Sequence, residues 1–176
     1  MIEINNKKFD LLIDESTIIS RITEIAEQIN KDFVGKQPLF IGIMNGCFMF
    51  ASDLFKRIDI PAEISFIKLL SYKGTSTTNK VVHSIGLEQI IKDRHVIIIE
   101  DIVDTGTTLN SFLPELRAQN PASINIASLL FKPDALKHDV IPNYYGFKIK
   151  NDFVVGYGLD YDGLGRNNKN IYVCKS

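Results

Sequence analysis

Residues 95–100, His-Val-Ile-Ile-Ile-Glu, are apolar at four consecutive positions. A strand that faces water on one side alternates apolar and polar residues. One that is apolar at successive positions needs cover on both faces, which parallel strands with helical crossovers supply. Comparable runs recur as PLFIGI (38–43), EISFIKLL (63–70), SINIASLL (123–130), FVVGY and IYVC. Helical patterns intervene. ESTIISRITEIAEQINKDF places Ile18, Ile19, Ile22, Ile25, Ala26 and Ile29 on one helical face, and FMFASDLFKRI does so with Phe50, Ala51, Leu54, Phe55 and Ile58. The alternation predicts an α/β fold, a mostly parallel twisted sheet flanked by helices.

Ligands of such folds sit beyond the carboxyl ends of the strands. Four loops fall on that rim: MNGC after 38–43, SYKGTSTTNK after 63–70, EDIVDTGTT after 96–99 and FKPD after 123–130. The polar loop 71–80 reads as a hairpin tip disordered in the free protein, and equally as a lid that orders over a substrate. The chain has 176 residues, 45% of them apolar, with no repeat and no linker, which predicts a single domain over 1–176. Its net charge of −1 lacks the field of a nucleic-acid binder. No apolar run approaches the roughly 18 residues of a membrane span, and MIEINNKKFD is too polar for a secretory signal. Cys47 and Cys174 match no metal or redox spacing and read as reduced thiols of a cytoplasmic protein.

The rim loop VIIIEDIVDTGTTL carries the chemistry. Thr105, Gly106, Thr107 and Thr108 lead into a helix beginning near Thr107. A helix start offers unpaired N–H groups and partial positive charge, Gly106 allows close approach, and the hydroxyls add donors, so a phosphate monoester fits. A plain threonine N-cap is the bland alternative. It is not a Walker loop, because no Lys follows the glycine. Glu100 and Asp101 can hold ribose hydroxyls directly or through Mg²⁺, and Asp104 stands where it could accept a proton. Exposed, solvated acids are the ordinary alternative.

An apolar strand, two acids, two apolar residues, Asp-Thr-Gly and Thr-Thr together resemble the type I phosphoribosyltransferases. From about Phe40 to Val173 the chain is similar to the hypoxanthine-guanine branch of that family, through IGIMNGCFMFASDL, LLSYKGT, SLLFKPD and DFVVGYGLDYDGLGRN. The resemblance implies a hood mainly from about 1–15 and 145–176. It implies transfer of phosphoribosyl from 5-phosphoribosyl-1-pyrophosphate to hypoxanthine or guanine, giving IMP or GMP, with Mg²⁺ as cofactor. It implies that Lys132 donates to the purine 6-oxo group, that Phe153 stacks on the ring and that the Val154 backbone reads the base edge. Asp160 is implied to bind Mg²⁺ through water, alongside Glu100 and Asp101, and Arg166 to grip pyrophosphate. Met44 and Gly46 are implied to offer it N–H groups, across a Met44–Asn45 peptide that can be cis in the family. Ser71 and Tyr72 are implied to close over the reacting centre, and a homodimer or homotetramer is implied because relatives form them. Its partners would be small molecules, with no nucleic acid and no membrane.

The sequence departs from the family at Asn45, where several relatives carry Lys, and at Asn167, where some carry an acid. Pro114, inside the predicted helix, deprives the Asn110 carbonyl of its partner and predicts a kink. A nucleotide- or RNA-binding regulator on the same fold and an enzyme specialised for xanthine remain alternatives, with a flavodoxin-like binding module behind them.

Overall fold

Two sheets organise the chain in the structure, a computed structural model that describes residues 1–71, 81–85, 87 and 89–175. In chain order the elements are β1 (Ile2–Ile4), β2 (Lys7–Ile13), α1 (Glu15–Asp32), β3 (Leu39–Met44), α2 (Phe48–Phe55), β4 (Glu63–Ser71), β5 (Val81–Ile85) and β6 (His95–Val103). There follow α3 (Thr107–Arg117), β7 (Ser123–Phe131), a 3-10 turn (Pro133–Ala135), β8 (Tyr144–Lys148), β9 (Val154–Val155) and β10 (Ile171–Cys174). The larger sheet runs β5-β4-β3-β6-β7-β8, and the smaller β1-β2-β10-β9. Within the larger sheet every pairing from β4 to β8 is parallel, and β5 is antiparallel at one edge. The smaller sheet is antiparallel throughout.

The consecutive apolar residues of β6 are explained by what covers them. Ile97 and Ile99 join Phe40, Ala127 and Leu129 against α1 and α2. Val96 and Ile98 join Leu39, Ile41 and Ile126 against α3. α1 starts where Asp14 caps it, accepting from Thr17 N at 2.9 Å. Its Ile18, Ile22, Ile25 and Ile29 are fully buried, each contributing roughly 1.5–3 kcal/mol of transfer free energy. The same cluster takes in Val154, Tyr157, Leu159 and Ile171, so the smaller sheet and its loops pack onto the larger one.

Several expectations are corrected. β6 does not stop at residue 99. Pairing of Ile102 with Leu130 and Val103 with Phe131 keeps the backbone extended, which places Glu100 and Asp101 inside the strand. FVVGY is a strand only at Val154–Val155, because Gly156, Tyr157 and Gly158 turn left-handed at φ 99°, 49° and 99°. The strands β1, β2, β5 and β8 were not anticipated. α3 continues through Pro114 to Arg117. Met44–Asn45 is cis, as the resemblance implied. Ser71 closes β4, whereas Tyr72 and the rest of the loop to residue 80 lie outside the described residues.

Candidate active site

Strand geometry separates the two adjacent acids. Side chains alternate along β6, so Glu100 falls on the face shared with Val96 and Ile98, and Asp101 on the opposite one. Glu100 forms the floor of a cavity of about 190 Å³ whose walls are Ile102–Leu109. Asp101 instead meets the loop after β3. A Cβ on Gly46 would lie 1.7 Å from Asp101 Oδ2, so only glycine lets that loop approach. Asp101 Oδ1 accepts from Ile102 N at 3.0 Å.

Neither acid is solvated in the ordinary way. Burial raises the Glu100 carboxyl well above its usual range, and the Asp101 charge adds to the shift. Glu100 Oε2 is buried without a hydrogen-bond partner. Burial pushes Asp101 up to about 6, against the lowering effect of backbone hydrogen bonds and of Arg166. Two desolvated carboxyls, one of them with an unpartnered oxygen, ask for a cation or a donor.

The cavity wall is the N-terminus of α3. Gly106 caps it at φ 75° and offers no side chain, while the Thr105 hydroxyl before it accepts from Thr107 N at 3.4 Å. Thr105 and Thr107 hydroxyls lie 2.9 Å apart and line the cavity with Thr108. Thr105 O accepts from Lys137 N at 3.0 Å, which ties the loop to the segment after β7. The first amides of α3 and three hydroxyls therefore converge on one space.

The register of β6 against β7 brings the next pair together. Val103 pairs with Phe131, so the residues just beyond them, Asp104 and Lys132, are neighbours. Lys132 Nζ donates to Asp104 Oδ2 at 2.7 Å. Lys132 is only 6% exposed, so its ammonium needs this acceptor.

The smaller sheet overhangs this rim. Phe153 is 46% exposed, with Phe9 and Tyr161 rings at 6.2 and 5.5 Å from its centroid. The Tyr161 ring carries Lys7 Nζ 4.7 Å from its centroid. Val154 belongs to β9, an edge strand that leaves one side of its backbone unpaired within the sheet. Arg166 bridges Asp160 Oδ1 at 2.6 Å and donates to Gly158 O at 2.6 Å. Asp160 Oδ2 accepts from Gly163 N at 2.7 Å.

The structure thus gathers Glu100, Asp101, Asp104, Thr105–Thr108 and Lys132 on one rim. Gly46 is tied to it through Asp101, and Gly158, the hydrogen-bond partner of Arg166, packs on Gly46. Among the described residues no three His, Cys, Asp or Glu side chains converge to hold a metal, so Glu100, Asp101 and Asp160 do not form a cage by themselves. Sequence reasoning missed Ile102 in the cavity wall, and Tyr157 and Asp53 beneath the hood. Only the glycines flanking Tyr157 hinted at an unusual backbone there. Another concavity, about 610 Å³, lies elsewhere, by Asp93, Asn120, Pro121 and Asn143 at the amino ends of β6, β7 and β8. Asp93 and Asp139 line it, but no hydroxyl side chain does, unlike the first rim.

Fold and rim define a class: a family profile described as "Phosphoribosyl transferase domain" matches residues 12–162, and the chain belongs to that family. Within the class, its similarities are narrower. It is 39% identical over 166 residues to a Lactococcus lactis protein named hypoxanthine-guanine phosphoribosyltransferase, covering 94% of this chain and 90% of that one. It is 41% identical over 162 residues to a hypoxanthine phosphoribosyltransferase of Haemophilus influenzae, covering 90% of each. The crystal structure of a hypoxanthine phosphoribosyltransferase from Staphylococcus aureus superposes with a TM-score of 0.91 at 42% identity, over 97% of this chain and 93% of that one. The type I phosphoribosyltransferase fold expected from the sequence is therefore the one observed.

Proposed function

We propose that this protein is a purine-salvage enzyme that moves the phosphoribosyl group of 5-phosphoribosyl-1-pyrophosphate onto hypoxanthine, and onto guanine, giving IMP or GMP and pyrophosphate. The observation that carries the reading is the Lys132–Asp104 pair, 2.7 Å apart, beside the hydroxyl-lined cavity at the start of α3. The 5′-phosphate occupies the α3 N-terminus, held by the Thr105–Thr108 amides and hydroxyls. Glu100 and Asp101 hold the ribose diol. Phe153 stacks on the purine, the Val154 backbone reads its edge and Lys132 donates to the 6-oxo group. A base that draws Lys132 away with a carbonyl also frees Asp104.

In the reaction the C1–O bond to pyrophosphate breaks while a purine nitrogen bonds to C1, through an oxocarbenium-like state. The purine proton passes to Asp104, placed near N7. Arg166 and the N–H groups of Met44 and Gly46 take the charge of the departing pyrophosphate. Ser71 and Tyr72 close over the centre and exclude water.

Mg²⁺ fits the donor set, since Glu100 Oε2 is buried and unpartnered and Asp101 is held up by burial. Glu100 and Asp101, with Asp160 through water, would hold it, and the substrate and water would supply its other oxygens. Once bound it supplies charge neutralisation at the leaving group.

The whole chain acts as one domain, the hood coming mainly from 1–15 and 145–176, in keeping with the cluster that joins both sheets. A homodimer or homotetramer in the cytoplasm completes the reading. Among the described residues no helix is long and apolar enough to cross a membrane. Incubation with phosphoribosyl pyrophosphate, Mg²⁺ and each of hypoxanthine, guanine, xanthine and adenine tests it. IMP and GMP are expected, and no nucleotide from adenine. Product with no base would favour a regulator on the same fold.

A further inference from the structure

Tyr157 is the bulkiest of the fully buried side chains, 1% exposed, yet its backbone sits left-handed at φ 49° between two glycines at 99°. A bulky residue in that region is held by something stronger than local preference. Its hydroxyl donates to Asp53 Oδ2, on the helix that follows the β3 loop. Its amide donates to Asn168 O at 2.7 Å.

Asp53 is itself held in place. Its Oδ1 is 2.6 Å from Lys56 Nζ, and its backbone carbonyl accepts from Arg57 Nη1 at 2.6 Å. Arg57 Nε in turn donates to Thr23 on α1 at 3.1 Å. Burial works against the charge on Asp53, but hydrogen bonds from Lys56 and Tyr157 leave its carboxyl below the ordinary value. The phenol therefore binds an ionised acceptor, the stronger kind of hydrogen bond.

The consequence lies one residue on. Gly158 is pressed onto Gly46, and a Cβ there would be 2.1 Å from Gly46 O. Gly158 N donates to Arg166 O at 3.0 Å, and Gly158 O accepts from Arg166 Nη1 at 2.6 Å. Gly46 on its other side abuts Asp101.

We infer that the Tyr157–Asp53 hydrogen bond is a positioning latch. It fixes Gly158 against the β3 loop and so sets the Gly46 amide and the Arg166 guanidinium in register for the diphosphate of the substrate and product. The inference rests on the pyrophosphate roles proposed above for Gly46 and Arg166. The purine side of the site, Lys132 and Phe153, hangs on other contacts and is untouched by the latch.

Tyr157→Phe and Asp53→Asn each test it, in steady-state kinetics of both directions. Loss of a hydrogen bond to a charged acceptor predicts that KM for phosphoribosyl pyrophosphate and for pyrophosphate rises about tenfold. KM for hypoxanthine and kcat should stay within about twofold. Added to Arg166→Gln, Tyr157→Phe should cost less than it does alone, since both act on one group. A uniform loss in both substrates, or a lower Tm with unchanged KM values, overturns the latch and leaves Tyr157 a packing residue. If Arg166→Gln itself leaves the pyrophosphate KM unchanged, the site assignment beneath the inference fails, and the latch with it. Should Tyr157→Phe not fold, Asp53→Asn reads the same contact from its less buried end.

Discussion

Two adjacent carboxylates meet different neighbours here because a strand turns them to opposite faces. Asp101, pushed up to about 6 chiefly by burial, keeps its proton in the folded chain after the unfolded chain has lost it near the ordinary aspartate value of 3.8. Below that value both states are protonated and nothing is lost; as pH rises through the folded value, stability declines. In chelator-treated protein, Asp101→Asn should therefore gain on the wild type between pH 4 and 6, by about 3 kcal/mol in all, and hold that gain above pH 6. Urea melts of both proteins across that range check this, and a constant difference at all pH values would contradict it. Asp104 is the other residue whose chemistry can be isolated. Asp104→Asn removes the proton acceptor but keeps the shape, so kcat should fall by about 10²–10⁴ with KM for hypoxanthine little changed. Turnover equal to wild type in stopped-assay measurements would remove Asp104 from the mechanism.

The start of α3 is the element on which the proposed phosphate binding depends. It begins without a side-chain cap, from a glycine at φ 75°. Alanine at Gly106 would bring a Cβ to 3.3 Å from Val140 Cβ and force a left-handed conformation costing about 1–2 kcal/mol. Gly106→Ala should lower Tm by a few degrees and weaken phosphoribosyl pyrophosphate binding by calorimetry. Unchanged affinity would mean the α3 terminus is not the phosphate site. This element was legible beforehand because its signals are local: an apolar run, then small hydroxyl residues. The early end of β9 was not, since the left-handed turn at Gly156–Gly158 is held by contacts with Asp53 and Gly46.

At the scale of the molecule, the two sheets are unequally buried. The hood sheet's own cluster is Ile4, Phe9, Val155 and Tyr172, whereas β3, β6 and β7 are buried on both faces by helices. Local opening should follow that difference. Hydrogen exchange is expected to be faster in β1, β2, β9 and β10 than in β3, β6 and β7, and to slow in the hood when IMP is added. Equal protection in both sheets would argue against a separately opening hood.

Periodicity and small-residue spacing sufficed for the parallel sheet, its helices and the Thr105–Thr108 socket, because those patterns reflect burial and backbone geometry within a few residues. The strands β1, β2 and β8 carry a weaker mark: IEI is only three residues long, KKFDLLI is interrupted by charges and YYGFK by a glycine, and they form because partners far along the chain offer an edge. Neither the ion pair of Lys132 with Asp104 nor the burial of Glu100 could be read locally. The first depends on the register of β6 against β7, and the second on the loop that folds back from Val103. Which carboxylate loses its water, and which cation finds it, is settled only when distant strands lie side by side and exclude solvent between them.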